Sequence, residues 1–361
     1  MFALPVYTPP DFSHPDLAAS PAARFKPAPA DALLPDDFHA TSNHPEYVHL
    51  GGGHWLLAPE SRMDAVLVLK DQRLEVLEPR RIRKGDPVAI GRSENGEEGI
   101  YVHTTGFGSP VEQRGKFSFR SHGSREAPFS RCYDELYQIL RHDRQHGHIV
   151  WVLGPAVAFD RDSRDAMRFM VEQGYCHALV AGNALATHDL EAAFFGTGLG
   201  QDIYTQAVRP GGHYNHLETI NRVQGCGSIR QAIQSLEVKD GIMAACVERK
   251  IPYVLAGSIR DDGPLPGVVT DTGRAQDAMR VHARRATTII ALATQLHSIA
   301  FGNLAPAYQV ATDGTVRPVF FYVVDMTEFS VGKLANRGSL QAVPILTNVQ
   351  DFMVNLRRNL A

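Results

Sequence analysis

From residue 149 onward the chain alternates two kinds of pattern. IVWVLG (149–154), HALVAG (177–182), IPYVLAG (251–257), TTIIALA (287–293), PVFFYVVD (318–325) and VPILT (343–347) are short, unbroken apolar runs rich in β-branched residues. Between them lie stretches with helical spacing of apolar positions: SRDAMRFMVEQG (163–174), SIRQAIQSL (228–236), GIMAACVERK (241–250) and DAMRVHARRA (277–286). A strand apolar on every position needs both faces covered, so this alternation predicts a parallel sheet between two layers of helices. Residues 149–361 are therefore expected to form a doubly wound α/β domain.

The pattern upstream is different. EYVHL (46–50), DAVLVLK (64–70), RLEVLE (73–78), DPVAIG (86–91) and GIYVHT (99–104) are short runs separated by GGG (51–53), ENGEEG (94–99) and similar turn residues, which predicts a small antiparallel β domain. RCYDELYQILRHDRQHG (131–147) places Cys132, Leu136, Ile139 and Leu140 on one helical face. The first 40 residues carry eight of the 22 prolines. Proline has no amide donor and a fixed φ, so residues 1–45 are expected to be an extended arm with little core of its own. Such an arm suits packing on a neighbouring subunit. The expected division is an arm (1–45), a β-rich substrate or oligomerisation domain (46–148) and an α/β domain (149–361).

Composition narrows the function classes. A net charge of −3 gives no electrostatic footprint for nucleic acid or an anionic membrane. No apolar run reaches the roughly 20 residues of a membrane helix, and MFALPVYTPPDF lacks the basic and apolar regions of a secretory signal. The four cysteines (Cys132, Cys176, Cys226, Cys246) form no CxxC pair, so a disulfide framework is not expected and a cytoplasmic setting is.

Ligands of open α/β sheets bind outside the carboxyl ends of the strands. The residues that follow the predicted strands there are small or polar: Gly154, Gly182-Asn183-Ala184 with His188 and Asp189, Gly257-Ser258 with Arg260-Asp261-Asp262, His297 with Gly302-Asn303, and Asp325. The stretch VLAGSIRDDGPLP (254–266) is either a solvated turn whose Asp caps the next helix or part of a site lined by these loops; its company favours the site. GTGLGQ (196–201) and GCGSIR (225–230) lack the spacing and preceding strand of a dinucleotide fingerprint and read as turns. His213 and His216 form an HxxH, but no third ligand is evident, so no metal is expected. Cys226 and Cys246 read as packed thiols.

GPAVAF (154–159), LVAGNALATHDLEAAFFGTGLG (179–200), GGHYNHLETINRVQGCGSI (211–229), VLAGSIRDDGPLP (254–266), LATQLHSIAFGN (292–303) and LANRGSLQAVPILTNV (334–349) together resemble the archaeal-type NAD-dependent ornithine cyclodeaminases. They also resemble the C-terminal domain of the bifunctional cyanobacterial arginine dihydrolase/ornithine cyclodeaminases, a family also labelled lysine-oxoglutarate reductase/saccharopine dehydrogenase conserved region. The resemblance spans roughly residues 45–361. It implies a Rossmann-like domain similar to that of deoxyhypusine synthase, bound NAD, and conversion of ornithine or a related diamino acid to proline or its cyclic analogue. In that reaction Cα is oxidised transiently, ammonia leaves, and the cyclic imine is reduced. The alternatives are an NAD(P)-dependent amino- or imino-acid dehydrogenase or reductase, and a silent NAD-binding regulatory protein.

Carried onto this chain, the resemblance places Gly182, Asn183, Ala184, His188, Asp189, Gly257, Ser258, Gly302, Asn303 and Asp325 at the cofactor. Asp325 would take the adenosine ribose. Asp261, Asp262, Arg260 and His297 are the expected catalytic positions, with Asp261 or Asp262 on a ribose or a substrate ammonium. Arg120 or Arg125 is expected on the substrate carboxylate and Glu126 on an amine, with His213, Asn215 and His216 also on the substrate side. A homo-oligomer, dimer or tetramer, is expected. No arginine-modifying domain is present, so arginine hydrolysis is not expected, and residues 308–328 are longer than the usual link.

Overall fold

A computed structural model describes residues 4–107, 130–261, 263–311, 313–327, 330–332 and 341–361. The β-rich part contains β1 (Arg24–Pro27), β2 (Glu46–His49), β3 (Trp55–Leu57), β4 (Val66–Lys70), β5 (Arg73–Leu77), β6 (Pro87–Ile90) and β7 (Ile100–Val102), after a single helical turn α1 (Pro15–Ala18). These make two antiparallel sheets, ordered β1-β6-β4-β5 and β3-β2-β7. Alternation along β4 explains how they pack. Leu67 points into a cluster with Val48, Ala89 and Ile100, while Val66 and Val68 point into another with Ala28, Ile82 and Val88.

The amino-terminal arm differs from its expectation. Residues 24–27 are an edge strand whose register pairs Phe25 with Ala89, a position that tolerates proline. Tyr7 hydrogen-bonds Tyr47 through their hydroxyls at 2.9 Å, and Phe12 stacks on Trp55 at 5.0 Å. The arm thus packs on its own β sheets.

The second part begins with α2 (Ser130–His146) and β8 (Ile149–Leu153). It continues through α3 (Arg161–Glu172), β9 (Ala178–Gly182), α4 (Asn183–Phe195), the small hairpin β10 (Thr197–Gly198) and β11 (Gln201–Asp202), α5 (Asn215–Cys226), α6 (Ile229–Ser235), α7 (Ile242–Glu248) and β12 (Tyr253–Ala256). Then come α8 (Thr272–Ala283), β13 (Thr288–Leu292), α9 (Gln295–Leu304), the hairpin β14 (Tyr308–Val310) and β15 (Val316–Pro318), β16 (Phe320–Asp325), β17 (Gln341–Leu346) and α10 (Val349–Leu360). Six strands form one parallel sheet in the order β12-β9-β8-β13-β16-β17. Counted within this domain the order is 3-2-1-4-5-6, with its reversal between β8 and β13.

Alternation within each strand covers both faces, as the unbroken apolar runs require. Trp151, Leu153, Leu179, Ile290 and Tyr322 face the layer built on α2 to α7 and α10. Val150, Val152, Val180, Ile289 and Phe321 face α8 and α9 through Met279, Ala283, Phe301 and Leu304. Two segments expected to be loops are helices. GNALATHD opens α4, and TQLHSIAFGN is α9. Helix α4 is buried on nearly all sides from Asn183 to Ala192, so its sequence carries no polar stripe to reveal the helical period.

The β sheets dock at the amino edge of the parallel sheet. Helices of a parallel α/β domain run back against the strands, so their C-terminal ends lie at that edge. There Arg280 of α8 pairs with Glu78, Arg284 pairs with Glu60 at 2.6 Å, and Arg62 pairs with Glu78 at 3.1 Å. Arg62 also donates to the Leu304 carbonyl at the end of α9, and Tyr308 donates to the Ala58 carbonyl at 2.8 Å. The carboxyl edge is left for the site.

Candidate active site

At the reversal of strand order, the ends of β8 and β13 pinch together. Gly154 donates to the Leu292 carbonyl at 2.8 Å, and a Cβ on Gly154 would overlap the Ala293 carbonyl oxygen, so only glycine fits. One strand over, Gly182 ends β9 and starts α4 with no side-chain cap. The first amides of α4 carry the positive end of the helix dipole and are free to face an anion such as a pyrophosphate.

His297 bridges these strand ends from the first turn of α9. Its Nδ1 lies 3.2 Å from the Thr294 hydroxyl. A Cβ on Gly182 would lie 2.8 Å from His297 Cε1. Burial lowers its pKa, against the raising effects of a hydrogen bond to the Ala256 carbonyl and of nearby Asp261, so the imidazole is neutral at pH 7.

The loop after β12 is braced at several points. Asp261 accepts from the Ser258 amide at 2.8 Å, and the Ser258 hydroxyl accepts from the Arg260 amide at 3.2 Å. Asn183 Oδ1 accepts from the Leu265 amide at 2.9 Å, and Gln224 donates to the Pro264 carbonyl at 2.8 Å. These bonds fasten the loop to α4 and α5. Helix α8 is capped by Asp271 instead, through the Arg274 amide at 2.7 Å, so capping the next helix is not what Asp261 does. Asp261 is half-buried and Arg260 is exposed. Asp262, Arg120, Arg125 and Glu126 lie outside the described residues.

Several expected cofactor positions fall elsewhere. Asp189 is fully buried on α4; it pairs with Arg164 at 2.7 Å and accepts from the Ile242 and Met243 amides at 2.9 and 2.7 Å, capping α7. Gly302 and Asn303 lie seven and eight residues into α9, so the helix carries them roughly 10 Å from the strand ends. Asp325 ends β16 and accepts from the Thr327 amide at 3.1 Å. That is the half of the sheet across the reversal from β9, whereas the acidic residue that takes an adenosine ribose follows the second strand of such domains. The adenosine role therefore does not fit Asp325.

His188 and His216 meet each other over Glu191, a residue the sequence reading passed over. His188 Nδ1 lies 3.4 Å and His216 Nδ1 3.5 Å from Glu191 Oε2. Glu191 also accepts from Thr197 Oγ1 and the Gly200 amide, each at 2.9 Å, and from the Leu199 amide at 3.1 Å; Asn215 donates to Thr197 Oγ1 at 2.9 Å. Burial opposes the charge on Glu191, but the neighbouring His188 and His216 and hydrogen bonds from Gly200 and Thr197 hold its carboxyl well below the usual carboxylate range. GTGLGQ is thus a hairpin turn gripped by a buried carboxylate. His213 is exposed and packs against the Tyr214 ring at 4.2 Å, outside this group. The i, i+3 spacing of His188 and Glu191 was the signal available, readable once the segment is taken as a helix. Cys246 is buried, which pushes its thiol pKa up and leaves it inert.

A 3-2-1-4-5-6 parallel sheet, pinched at a glycine where its order reverses and opening onto an uncapped helix N-terminus, defines a dinucleotide-binding domain of the Rossmann type. Residues 134–356 match the family described as arginine dihydrolase ArgZ-like, C-terminal, Rossmann fold. The ornithine cyclodeaminase of Methanopyrus kandleri is 40% identical over 343 residues, which cover 93% of this chain and 78% of that protein. The bifunctional arginine dihydrolase/ornithine cyclodeaminase AgrE of Nostoc sp. is 32% identical over 94% of this chain and 46% of its own length. The crystal structure of a conserved LOR/SDH protein from Methanococcus maripaludis S2 superposes with a TM-score of 0.85 at 38% identity, covering 94% of this chain and 98% of that one. The chain belongs to the archaeal-type ornithine cyclodeaminase family.

Proposed function

We propose that this chain is an NAD-dependent ornithine cyclodeaminase, converting L-ornithine to L-proline and ammonia. The observation that carries the reading is the 40% identity to an ornithine cyclodeaminase over 93% of the chain. A solved complex of AgrE with ornithine and NAD+ supports it, at 30% identity over 95% of this chain with a TM-score of 0.58. When bound, NAD+ supplies a hydride acceptor for Cα of the amino acid and returns the hydride to the cyclic imine, so the reaction is redox-neutral overall.

The carboxyl edge suits that group. Gly154 lets the ends of β8 and β13 close together and Gly182 makes room for His297, and the first turn of α4 at Asn183 and Ala184 offers amides to a pyrophosphate. In this reading Gly257 and Ser258 line the same edge. Asn183 holds the loop that carries Asp261, and Asp261 presents a carboxylate to a ribose hydroxyl pair or to the substrate ammonium. Neutral His297 ties the ends of β9 and β12 together, against Gly182 and through the Ala256 carbonyl. The reading includes a homo-oligomer. Leu199, Tyr204, Val208, Tyr214 and Leu217 are exposed within one short stretch, an apolar surface that a second copy would cover.

The test is direct. With ornithine and NAD+ the protein should release proline and ammonia in equal amounts with no build-up of NADH. Stoichiometric NADH would make it a dehydrogenase, and bound NAD without turnover would make it a binding protein.

A further inference from the structure

Helix α4 and the first turn of α5 bring two imidazoles and one carboxylate to a common point, His188, Glu191 and His216. We propose that these three side chains bind a divalent transition-metal cation of the zinc class, with the fourth position open. The proposal stands apart from ornithine cyclodeamination: it takes His188 and His216, expected at the cofactor and the substrate, into one group with Glu191.

Distance is the first argument. The two Nδ1···Oε2 separations are 3.4 and 3.5 Å. Charge-assisted hydrogen bonds run shorter, at about 2.7–2.9 Å. A tetrahedral ion with bonds of about 2.0–2.2 Å holds neighbouring ligand atoms about 3.3–3.6 Å apart. The pair spacings fit ligands around an ion better than they fit a carboxylate hydrogen-bonded to two imidazoles. All three ligand atoms lie within 4.8 Å of one another. His216 Nδ1 is buried, and its polar neighbour is Glu191 Oε2 at 3.5 Å, long for a charge-assisted hydrogen bond.

The surroundings are built like those of a metal site. Ligating carboxylates are held by outer hydrogen bonds that fix their orientation. Here Thr197 and the Gly200 amide occupy Oε1 and the Leu199 amide binds Oε2, while Asn215 orients Thr197. Phe159 packs on the His188 ring at 4.6 Å and forms an apolar wall. The donor set of two imidazoles and a carboxylate suits zinc, and three protein ligands leave a position for water. The His216 side chain is 32% exposed, so the group lies near the surface.

The experiment is zinc binding by equilibrium dialysis to the chelator-treated full-length protein, with its thermal midpoint recorded beside it. His216→Asn is the main variant, because His216 is partly exposed and its loss spares the buried core; Glu191→Gln is the second. The expected result is about one zinc per chain, a raised midpoint on loading, and affinity weakened at least about ten-fold in His216→Asn. No stoichiometric zinc in the wild type would overturn the proposal. So would equal affinity in the wild type and His216→Asn, since the ion would then sit elsewhere.

Discussion

Two residues carry the site at the smallest scale. Gly154 stands where the ends of β8 and β13 touch, and even a methyl group would strike the Ala293 carbonyl oxygen. Backbone cannot rotate away as a side chain does, so Gly154→Ala should force the strand ends apart, costing about 1–3 kcal/mol of stability and weakening NAD+ binding about ten-fold or more. Calorimetric titration with NAD+ and a thermal melt check both parts; unchanged values would mean the pinch does not shape the cofactor site. Asp261 is the second. Asparagine keeps the oxygen that accepts from the Ser258 amide and loses the charge. Asp261→Asn should fold normally yet lose about ten- to a hundred-fold in turnover or cofactor affinity, the scale of one charged hydrogen bond. Wild-type steady-state kinetics and wild-type NAD+ affinity in this variant would make the loop only a turn. These positions were visible in the sequence as glycines and charges at strand ends. Asp189 looked the same there, and nothing in its neighbours along the chain reveals that Arg164 and the α7 amides claim both its oxygens.

Elements were legible in proportion to how one-sided their surroundings are. The six parallel strands were readable because each is an unbroken apolar run that stops at a glycine or a polar residue, and helices α3, α6 and α8 because one face meets water. Helix α4 was not, since it is buried around most of its surface and lacks a polar stripe, and α9 was not, since it carries no Asp, Glu, Lys or Arg to mark a polar face. Glu191 and the inward set of α4 were hidden with them. Strand β1 was hidden by Pro27, which an edge position accepts. One element-scale feature bears on stability. His148 stacks on His177 at 5.6 Å and on His282 at 6.3 Å where strands and helices meet at the amino edge. Burial, with Arg285 and the two other imidazoles, pushes His148 from 6.5 down to about 4, and burial lowers His177 and His282 as well. Between about 6.5 and 4 the unfolded chain therefore binds protons that the folded chain refuses. Stability should hold above that window and fall as pH drops through it. Denaturant midpoints from pH 7.5 to 4.5 measure this, and replacing His148 with glutamine should flatten the slope; an equal slope in that variant would remove His148 from the account.

At the scale of the whole molecule, the arrangement of the two parts follows from a charged seam. Arg280, Arg62, Arg284, Glu78 and Glu60 lie between the β sheets and the ends of α8 and α9, mostly buried. Arg280→Met leaves Glu78 with Arg62 at 3.1 Å and Arg81 at 3.2 Å, so the loss should sit near the low end for a broken buried pair, about 3 kcal/mol. A denaturant midpoint equal to wild type would show that the seam contributes little. Because the seam fixes the β sheets at the amino edge, the carboxyl edge stays open for cofactor and substrate. That division was half legible: the two folding patterns were plain in the sequence, but which edge the sheets cover depends on pairs more than 200 residues apart, such as Arg280 with Val76. Among the described residues no helix is long and apolar enough to cross a membrane. The proposed reaction is a redox cycle that starts and ends on one carbon. Ornithine deuterated at Cα, turned over with unlabelled NAD+, tests it most directly. The account predicts proline that keeps the deuterium at Cα, with ammonia released and no label in the free cofactor pool. Proline without the label, or label accumulating in free NADH, would contradict it.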